Sequence, residues 1–411
     1  MAPDHRALHY LVGTSGHPNY GDELIAATWL RYLARVAPEV EVWLDCPNPG
    51  PAEVLHGDLH PNVRFTDTLW RLCWESPSKE PWEVNEFVQR AIHDPGVAPR
   101  WVHGIELVSR ADVVHIIGGG YVNDIWPSHI GLLSGAVAAV RRSGGRAVAS
   151  GLGLWPVAPN GAAVLRHLAS QFHILDVRDV PSVGVIEEAV TPLLTGDDIF
   201  FGLGPHLYRT DGDLRPVVVC IQSDLVEVGV PALADFLADT LRTWKVTGED
   251  LGVVECIPGT DRTVFSWVER AFPGARFYPF SEIWDKGLPA AAGQTWISTR
   301  FHAHLIAAAV GATGVALSVS TSYYATKHRS LVDKGSGWTI VDDLKKIPAR
   351  PTGTGFDRAR LTELRAAKAA LAAAIYPTPE RPPAPPSPAP ASRTTTSRVY
   401  RTWTPAAESP A

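Results

Sequence analysis

The sequence predicts an α/β protein of two doubly wound, Rossmann-like lobes facing across a cleft, with a disordered proline-rich C-terminal tail. Three observations lead there. Short β-rich runs alternate with longer amphipathic segments, the pattern of βα units on a mostly parallel sheet covered on both faces. The alternation breaks once, at "LGPHLYRTDGDLRP" (203–216), and then restarts. The chain has 411 residues, more than the roughly 250–300 that one hydrophobic core holds.

The elements follow in order. "ALHYLVG" is the first strand, and "GDELIAATWLRYLARV" is a helix with Leu24, Ala27, Leu30 and Leu33 at helical spacing. "VEVWLDC" is a second strand. "ADVVHIIGGG" is a strongly apolar strand ending in glycines, and a helix covers Ile130 to Arg142. "GRAVASG", "FHILDVRD" and "TPLLTGDD" read as further short strands separated by helical segments. After the break, "PVVVCIQ", "GVVECIP", "ARFYPF", "QTWIST" and "TGVALSVS" are strands, with helices over Ala232 to Trp244 and Thr263 to Ala271. "DRARLTELRAAKAALAAAIY", rich in Ala, Leu, Arg and Glu, is a closing helix. Beyond it the chain turns to Pro, Ser and Thr and is expected to be disordered. The expected division is 1–205 and 206–350 for the two lobes, 351–376 for the closing helix and 377–411 for the tail.

Composition narrows the function. Hydrophobic residues make up 45% and charged residues 19%, with a formal net charge of -6. No global positive field draws such a chain to nucleic acid or an anionic membrane, so any anion site is local. Cys46, Cys73, Cys220 and Cys256 form no CxxC pair, which argues against zinc and a disulfide framework and suits a reducing compartment. "MAPDHRALHYLVG" has no signal-peptide pattern. The apolar stretch Leu305 to Val319 falls short of the ~20 residues of a membrane span and reads as a buried helix entering a buried strand. A cytoplasmic protein without a membrane span is expected.

Ligands in open α/β sheets bind beyond the carboxyl ends of strands, which singles out a few stretches. In "GTSGHPNYGDELI" a strand opens into a loop with Gly13, Gly16, Asn19 and Gly21, and a helix follows Asp22. Backbone N–H groups there suit an anion; the plainer reading is a helix capped by Asp22. The spacing fits neither a nicotinamide fingerprint nor a P-loop. In "HIIGGGYVNDIW", Gly118, Gly119 and Gly120 let the backbone approach a ligand or a neighbouring helix. A tight turn explains those glycines, but not Asn123, Asp124 and Trp126 after them. In "LDVRDVPS", Arg178 ends a strand and Asp179 begins a turn, for which an exposed ion pair is the plainer account.

In "STRFHAHLIAAAVGATG", Arg300 and His302 lie at the carboxyl end of "QTWIST", two apart in an extended segment and so on one side. Arginine binds carboxylate or phosphate bidentately, and histidine transfers protons near neutral pH. His304 points elsewhere and reads as structural. "STSYYATKHRS" adds Lys327 after the next strand, with His328 and Arg329 read as a solvated basic loop.

In this order and spacing, "NYGDELI", "GGGYVND", "VRD", "STRFHAHLIAAAVGATGVALSV" and "YYATK" resemble the polysaccharide pyruvyl transferase family, over roughly residues 8–345. The Ser-x-Arg-x-His block with a lysine downstream is the most specific part. The resemblance implies transfer of the enolpyruvyl unit of phosphoenolpyruvate onto two hydroxyls of a sugar in a cell-surface polysaccharide or glycolipid precursor. A pyruvate ketal forms and phosphate leaves. It also implies a fold similar to the GT-B glycosyltransferases, no required metal, and no cofactor beyond phosphoenolpyruvate as donor substrate.

Carried over, Arg178 and Arg300 would hold the donor, Lys327 would bind its phosphate or carboxylate, and His302 would donate the proton. The family usually has an acidic residue and then the lysine after its tyrosine; here Ala325 and Thr326 separate Tyr324 from Lys327. The charge fits, because burying a carboxylate and a phosphate together requires several cations. Acceptor contacts are expected on the first lobe, among Asn19, Gly21, Asp22, Gly118, Gly119, Gly120, Asn123 and Asp124. The acceptor would be a sugar or lipid-linked oligosaccharide, which brings the protein to a membrane only peripherally. The base is open between Asp22, Asp124 and Asp197, and Trp126 and Trp155 are candidate sugar-stacking rings. Two other readings stand beside this one: a nucleotide-sugar glycosyltransferase using the same arginines on a diphosphate, and a non-catalytic sugar-binding or scaffold protein.

Overall fold

The computed structural model describes residues 7–377 apart from 225, 228 and 319–322, with side chains withheld at 323–325. The expected tail from 378 onward lies outside the described residues. Six strands, β1 (Leu8–Val12), β2 (Glu41–Asp45), β3 (Val63–Thr66), β4 (Val113–Ile116), β5 (Arg146–Leu152) and β6 (Ile174–Val177), form one sheet. Every pairing is parallel and the order is β3-β2-β1-β4-β5-β6. Six more, β7 (Val217–Cys220), β8 (Leu251–Val254), β9 (Arg276–Tyr278), β10 (Thr295–Ser298), β11 (Thr313–Leu317) and β12 (Thr339–Val341), form a second parallel sheet ordered β12-β11-β10-β7-β8-β9. Counted from its own first strand, each sheet has the same order and reverses once, at β1/β4 and at β7/β10.

The central strands show why they are strands. VVHI of β4, VVVC of β7 and TWIS of β10 are buried at every position, as both faces of a parallel sheet must be. The structure corrects the reading of "TPLLTGDD". Leu193 makes one isolated bridge to Asp176, Gly196 turns the chain at φ +95°, and no strand forms. It also fills a stretch the sequence left unassigned: β3 and the helices Pro49–His56, Thr68–Glu75, Pro81–His93 and Val102–Val108 all lie between 46 and 110.

The described residues through Tyr376 make one compact unit. Its largest apolar cluster runs from Ile25 and Trp29 in the helix Tyr20–Val36, through Phe301 and Leu305, to Leu371 and Ile375 of the closing helix Arg358–Ile375. That closing helix returns to the first sheet. Its fully buried Lys368 donates to Asp176 at 2.6 Å and Asp198 at 2.7 Å. Asp198 also accepts from Trp29 Nε1, Ser150 Oγ and the Gly118 amide, so this buried carboxylate is saturated.

Candidate active site

The loops at the two reversal points face each other across a cavity of about 500 Å³. The first sheet contributes Asn19, Gly21 and Asp22 after β1, Gly120 after β4 and Arg178 after β6; the second contributes Asp224, Arg300, His302 and Lys327. The lobes touch at its floor, where the Tyr20 amide donates to the Cys256 carbonyl at 2.9 Å.

His302 sits in the first turn of the helix Phe301–Ala309, its ring lying against Gly21 of the opposite lobe. A Cβ at position 21 would overlap the imidazole and come within 2.6 Å of His302 Cβ, so the ring's seat exists because residue 21 is glycine. His302 Nε2 is 3.4 Å from Asp197 Oδ2, and neither atom has a hydrogen-bond partner among the described residues. Burial alone would lift the Asp197 carboxyl, but the charges of His302 and Arg178 outweigh it and hold that carboxyl well below the usual range. Asp197 is thus a fixed negative charge behind the histidine. Asp22 faces the cavity, its Oδ2 accepting from Asn19 Nδ2 at 2.8 Å. Burial raises its carboxyl, opposed in part by His302 and Lys327.

Arg178 lies with its guanidinium carbon 4.8 Å above the Phe301 ring, a cation–π contact between lobes. Asp179 and Asp197 are 3.5 and 3.6 Å from its nitrogens. The chain folds this way locally because Asp179 caps the next helix, accepting from the Ser182 amide and hydroxyl. Gly120 and Gly153 leave room for the guanidinium, and Lys327 Cε approaches the same face of Gly120. Desolvation, then the charge of Arg178, lowers the Lys327 ammonium well below its ordinary value; its partial exposure to the cleft moderates this.

Arg300 reaches the cleft wall already paired. Its Nε and Nη2 donate to Asp261, the closest contact at 2.6 Å, and Nη2 donates to Asp224 at 2.8 Å. Beneath it, His304 and His328 face each other through their Nδ1 atoms at 3.0 Å, and His328 Nε2 reaches the Thr299 carbonyl. Residue 328 is therefore not in a solvated loop: it is fully buried in the helix Tyr323–Asp333, whereas Arg329 is exposed.

The sequence matches the description of the polysaccharide pyruvyl transferases over residues 19–321, well over half of the chain. The chain belongs to the polysaccharide pyruvyl transferase family. It is a transferase, an enzyme of polysaccharide pyruvylation. No curated protein sequence matches it. Among solved structures, Anabaena HepE in complex with UDP-glucose is 14% identical, with a TM-score of 0.50 over 90% of this chain and 95% of that one. A Neisseria meningitidis UDP-GlcNAc 2-epimerase bound to UDP-GlcNAc is 9% identical, with a TM-score of 0.48 over 89% and 91%. A spinosyn rhamnosyltransferase complexed with spinosyn aglycone is 14% identical, with a TM-score of 0.45 over 90% and 96%. The likeness is one of fold: two facing parallel sheets in the GT-B arrangement.

Within this pyruvyl transferase fold, some residues singled out from the sequence serve the scaffold. The Gly16 amide and the Ser15 hydroxyl bond to buried Glu23, folding the first loop back on its own helix. Asn19, not Asp22, precedes that helix. Gly118 and Gly119 lie behind the cleft, one donating to Asp198 and the other bridging Leu152. Asn123 closes its own turn through Gly120 and Ile125, and Asp124 accepts from the Ala158 amide beside a separate small void. The sequence reading missed Asp224 and the aromatic end of the cavity, at Trp70, Trp74 and His129.

No helix among the described residues is long and apolar enough to cross a membrane. Cys220, Cys256 and Asp261 are the one metal-capable trio among them, within 4.8 Å of one another. Asp261 already accepts from Arg300 and from the Cys256 and Ile257 amides, so its oxygens are committed to the Arg300 wall.

Proposed function

We propose that this enzyme transfers the enolpyruvyl unit of phosphoenolpyruvate to two hydroxyls of one sugar in a cell-surface polysaccharide or glycolipid precursor. The product is a pyruvate ketal, and phosphate is released. The observation that carries this reading is the convergence of a histidine–carboxylate pair, His302 and Asp197, with Arg178 and Lys327 in one cleft. The donor's carboxylate and phosphate take the Arg178 and Lys327 end, and Arg300, held by Asp261 and Asp224, forms the wall beside it. No metal is assigned, and a cytoplasmic setting fits four buried free cysteines.

His302, paired through Nε2 with Asp197, gives a proton to the methylene carbon of the donor. A methyl group forms and the neighbouring carbon becomes cationic. One sugar hydroxyl adds to that carbon and its proton passes to Asp22, whose raised carboxyl suits a base that must later act as an acid. Phosphate leaves with that proton. The second hydroxyl then closes the ketal and returns a proton to His302. Asp22 is favoured over Asp124 and Asp197 because it lines the cavity, whereas Asp124 is held outside it and Asp197 stands behind His302.

The test is thermal unfolding with phosphoenolpyruvate, UDP-glucose or GDP-mannose added separately, followed by phosphate release with a panel of methyl glycosides. A ligand at ~100 times its dissociation constant adds about 2.7 kcal/mol, and each kcal/mol raises the midpoint by ~2–4 °C. A shift with phosphoenolpyruvate that vanishes in Arg178→Ala supports the reading. A shift with a nucleotide sugar alone overturns it in favour of glycosyl transfer.

A further inference from the structure

The donor seat accounts for one end of the cleft. A cavity of about 500 Å³ is of the size that holds a drug-sized ligand, well beyond a three-carbon donor. Its far end is aromatic and belongs to the first lobe. Trp74, on the helix Thr68–Glu75, keeps 43% of its surface exposed. Its ring centre is 5.7 Å from that of Trp70, which is buried and anchored through Nε1 to the Asp45 carbonyl. Trp70 meets His129 edge-on at 4.8 Å, and His129 stacks with Trp126 at 6.1 Å. Arg71, held by Asp67 at 2.7 Å, lies 5.4 Å from the Trp74 ring and helps to fix it. These rings form one continuous, braced shelf, and Asn48, His17 and Asp22 give it a polar rim.

We propose that this shelf is the acceptor subsite and that it holds a saccharide with one pyranose ring stacked on Trp74. The inference rests on the reading of the cleft as a sugar-modifying site. A large exposed indole in a concave, polar-rimmed site marks a ligand surface. A pyranose is the matching shape, with an apolar C–H face for the indole and hydroxyls at its edge for the rim. The shelf is preorganised, so stacking loses little side-chain entropy. Arg71, the cation against Trp74, is already paired with Asp67 and stacked on the indole, so an uncharged ring fits better than a phosphate there. A ring on Trp74 with its edge toward Asp22 points its hydroxyls at the donor end.

The experiment uses the full chain and three forms: wild type, Trp74→Ala and Trp74→Phe. Methyl glucoside, galactoside and mannoside, and their di- and trisaccharides, are titrated calorimetrically, and UDP is titrated separately. The phosphoenolpyruvate-induced thermal shift is measured on each form. Saccharide binding should weaken by roughly tenfold in Trp74→Ala and largely return in Trp74→Phe. The phosphoenolpyruvate shift and the unliganded unfolding temperature should stay unchanged in all three. In turnover, the saccharide KM should rise with kcat little altered. Saccharide binding that ignores Trp74→Ala overturns the proposal. So does a wild type that binds phosphoenolpyruvate but none of the saccharides, or a Trp74-dependent site that takes UDP instead. If saccharides bind through Trp74 while phosphoenolpyruvate gives no shift, the donor reading falls and the shelf stands.

Discussion

Replacing Gly21 with alanine separates folding from chemistry at the helix start. Gly21 lies in the first turn of a helix and has no positive φ, so the backbone itself accepts alanine there. Helix propensity alone favours the change by about 0.8–1.0 kcal/mol. The new methyl, however, would occupy the imidazole's position and stand 2.6 Å from His302 Cβ. The nearest ring atom would be 1.7 Å away, so restoring contacts near 3.5 Å requires the ring to retreat by about 1.8 Å. Rotation about χ1 swings the ring but leaves Cβ in place, so the backbone at 302 must also move. A displacement of that size separates the acid from Asp197 and from the donor carbon. Misplacement by ~1 Å costs on the order of 10²-fold, and full loss of a general acid costs ~10²–10⁴-fold. The expected outcome is a kcat reduced at least a hundredfold, close to that of His302→Gln, with an unfolding temperature within a few degrees of wild type. Phosphate release measures the first and calorimetry the second. Near-normal kcat in Gly21→Ala would refute the argument that the seat against Gly21 aligns the acid. A protein that no longer folds would refute the argument that only the ring must move.

Three further outcomes follow from the same geometry. Burial and Arg178 hold the Lys327 ammonium low, and a bound anion favours the charged form, so donor binding takes up a proton and weakens as pH rises through that window. In Lys327→Arg the charge is permanent, and calorimetry in buffers of different protonation heat should show smaller uptake; equal uptake would place the proton elsewhere. Phe301→Leu removes the ring under Arg178, worth ~0.5–2 kcal/mol, and should weaken donor affinity by roughly two- to thirtyfold with a smaller effect on kcat, read from the concentration dependence of phosphate release. Lys368→Met leaves Asp176 and Asp198 without their counter-ion in the core, at a cost of about 3–5 kcal/mol. The melting midpoint should fall by roughly 6–20 °C, and a drop under ~3 °C would show that the pair is not the weld it looks to be.

Much of the fold is legible in the sequence because the central strands are continuous apolar runs, and only a sheet covered on both faces buries such runs. The same signal misleads at Leu193 and Leu194. Both are apolar, yet they are 47% and 41% exposed, and with Pro192 before them and Gly196 after them they do not pair as a strand. The half-exposed edge strand β3, VRFT, carries too little apolar content to stand out. Around the site, Arg300 and His302 are legible because one short stretch at a strand end holds both. Asp197 is legible only as one of three candidate bases; its place behind His302 is not, since that is a contact with a residue more than a hundred positions away. His328 is hidden by its neighbours: flanked by Lys327 and Arg329 it reads as solvated, but a helix sends adjacent residues to different faces and turns it into the core. Trp74 is visible as a letter, but its exposure in the cavity is a property of the packed helix.

The contacts at the cleft are shared between lobes in both directions, and this constrains how the enzyme can work. His302, from the second lobe, depends on Gly21 and Asp197 of the first, while Arg178, from the first, rests on Phe301 of the second. The Tyr20 amide and Cys256 carbonyl join the lobes at the floor between them. If the lobes parted, the acid would lose its counter-ion and the donor's arginine would lose its platform in the same movement. In the proposed mechanism, the same inter-lobe contacts would thus hold acid and anion seat together, and a donor held by Arg178 and Lys327 would favour the arrangement in which His302 is aligned. The closing helix keeps that arrangement from drifting: it leaves the second sheet, crosses back, and fixes Asp176 and Asp198 of the first lobe with Lys368, one residue beyond the Asp197 that faces the histidine. Burying an ammonium there is costly unless both carboxylates stay in place. The anchor thus sits where a small shift of the 197–198 segment would misalign the acid.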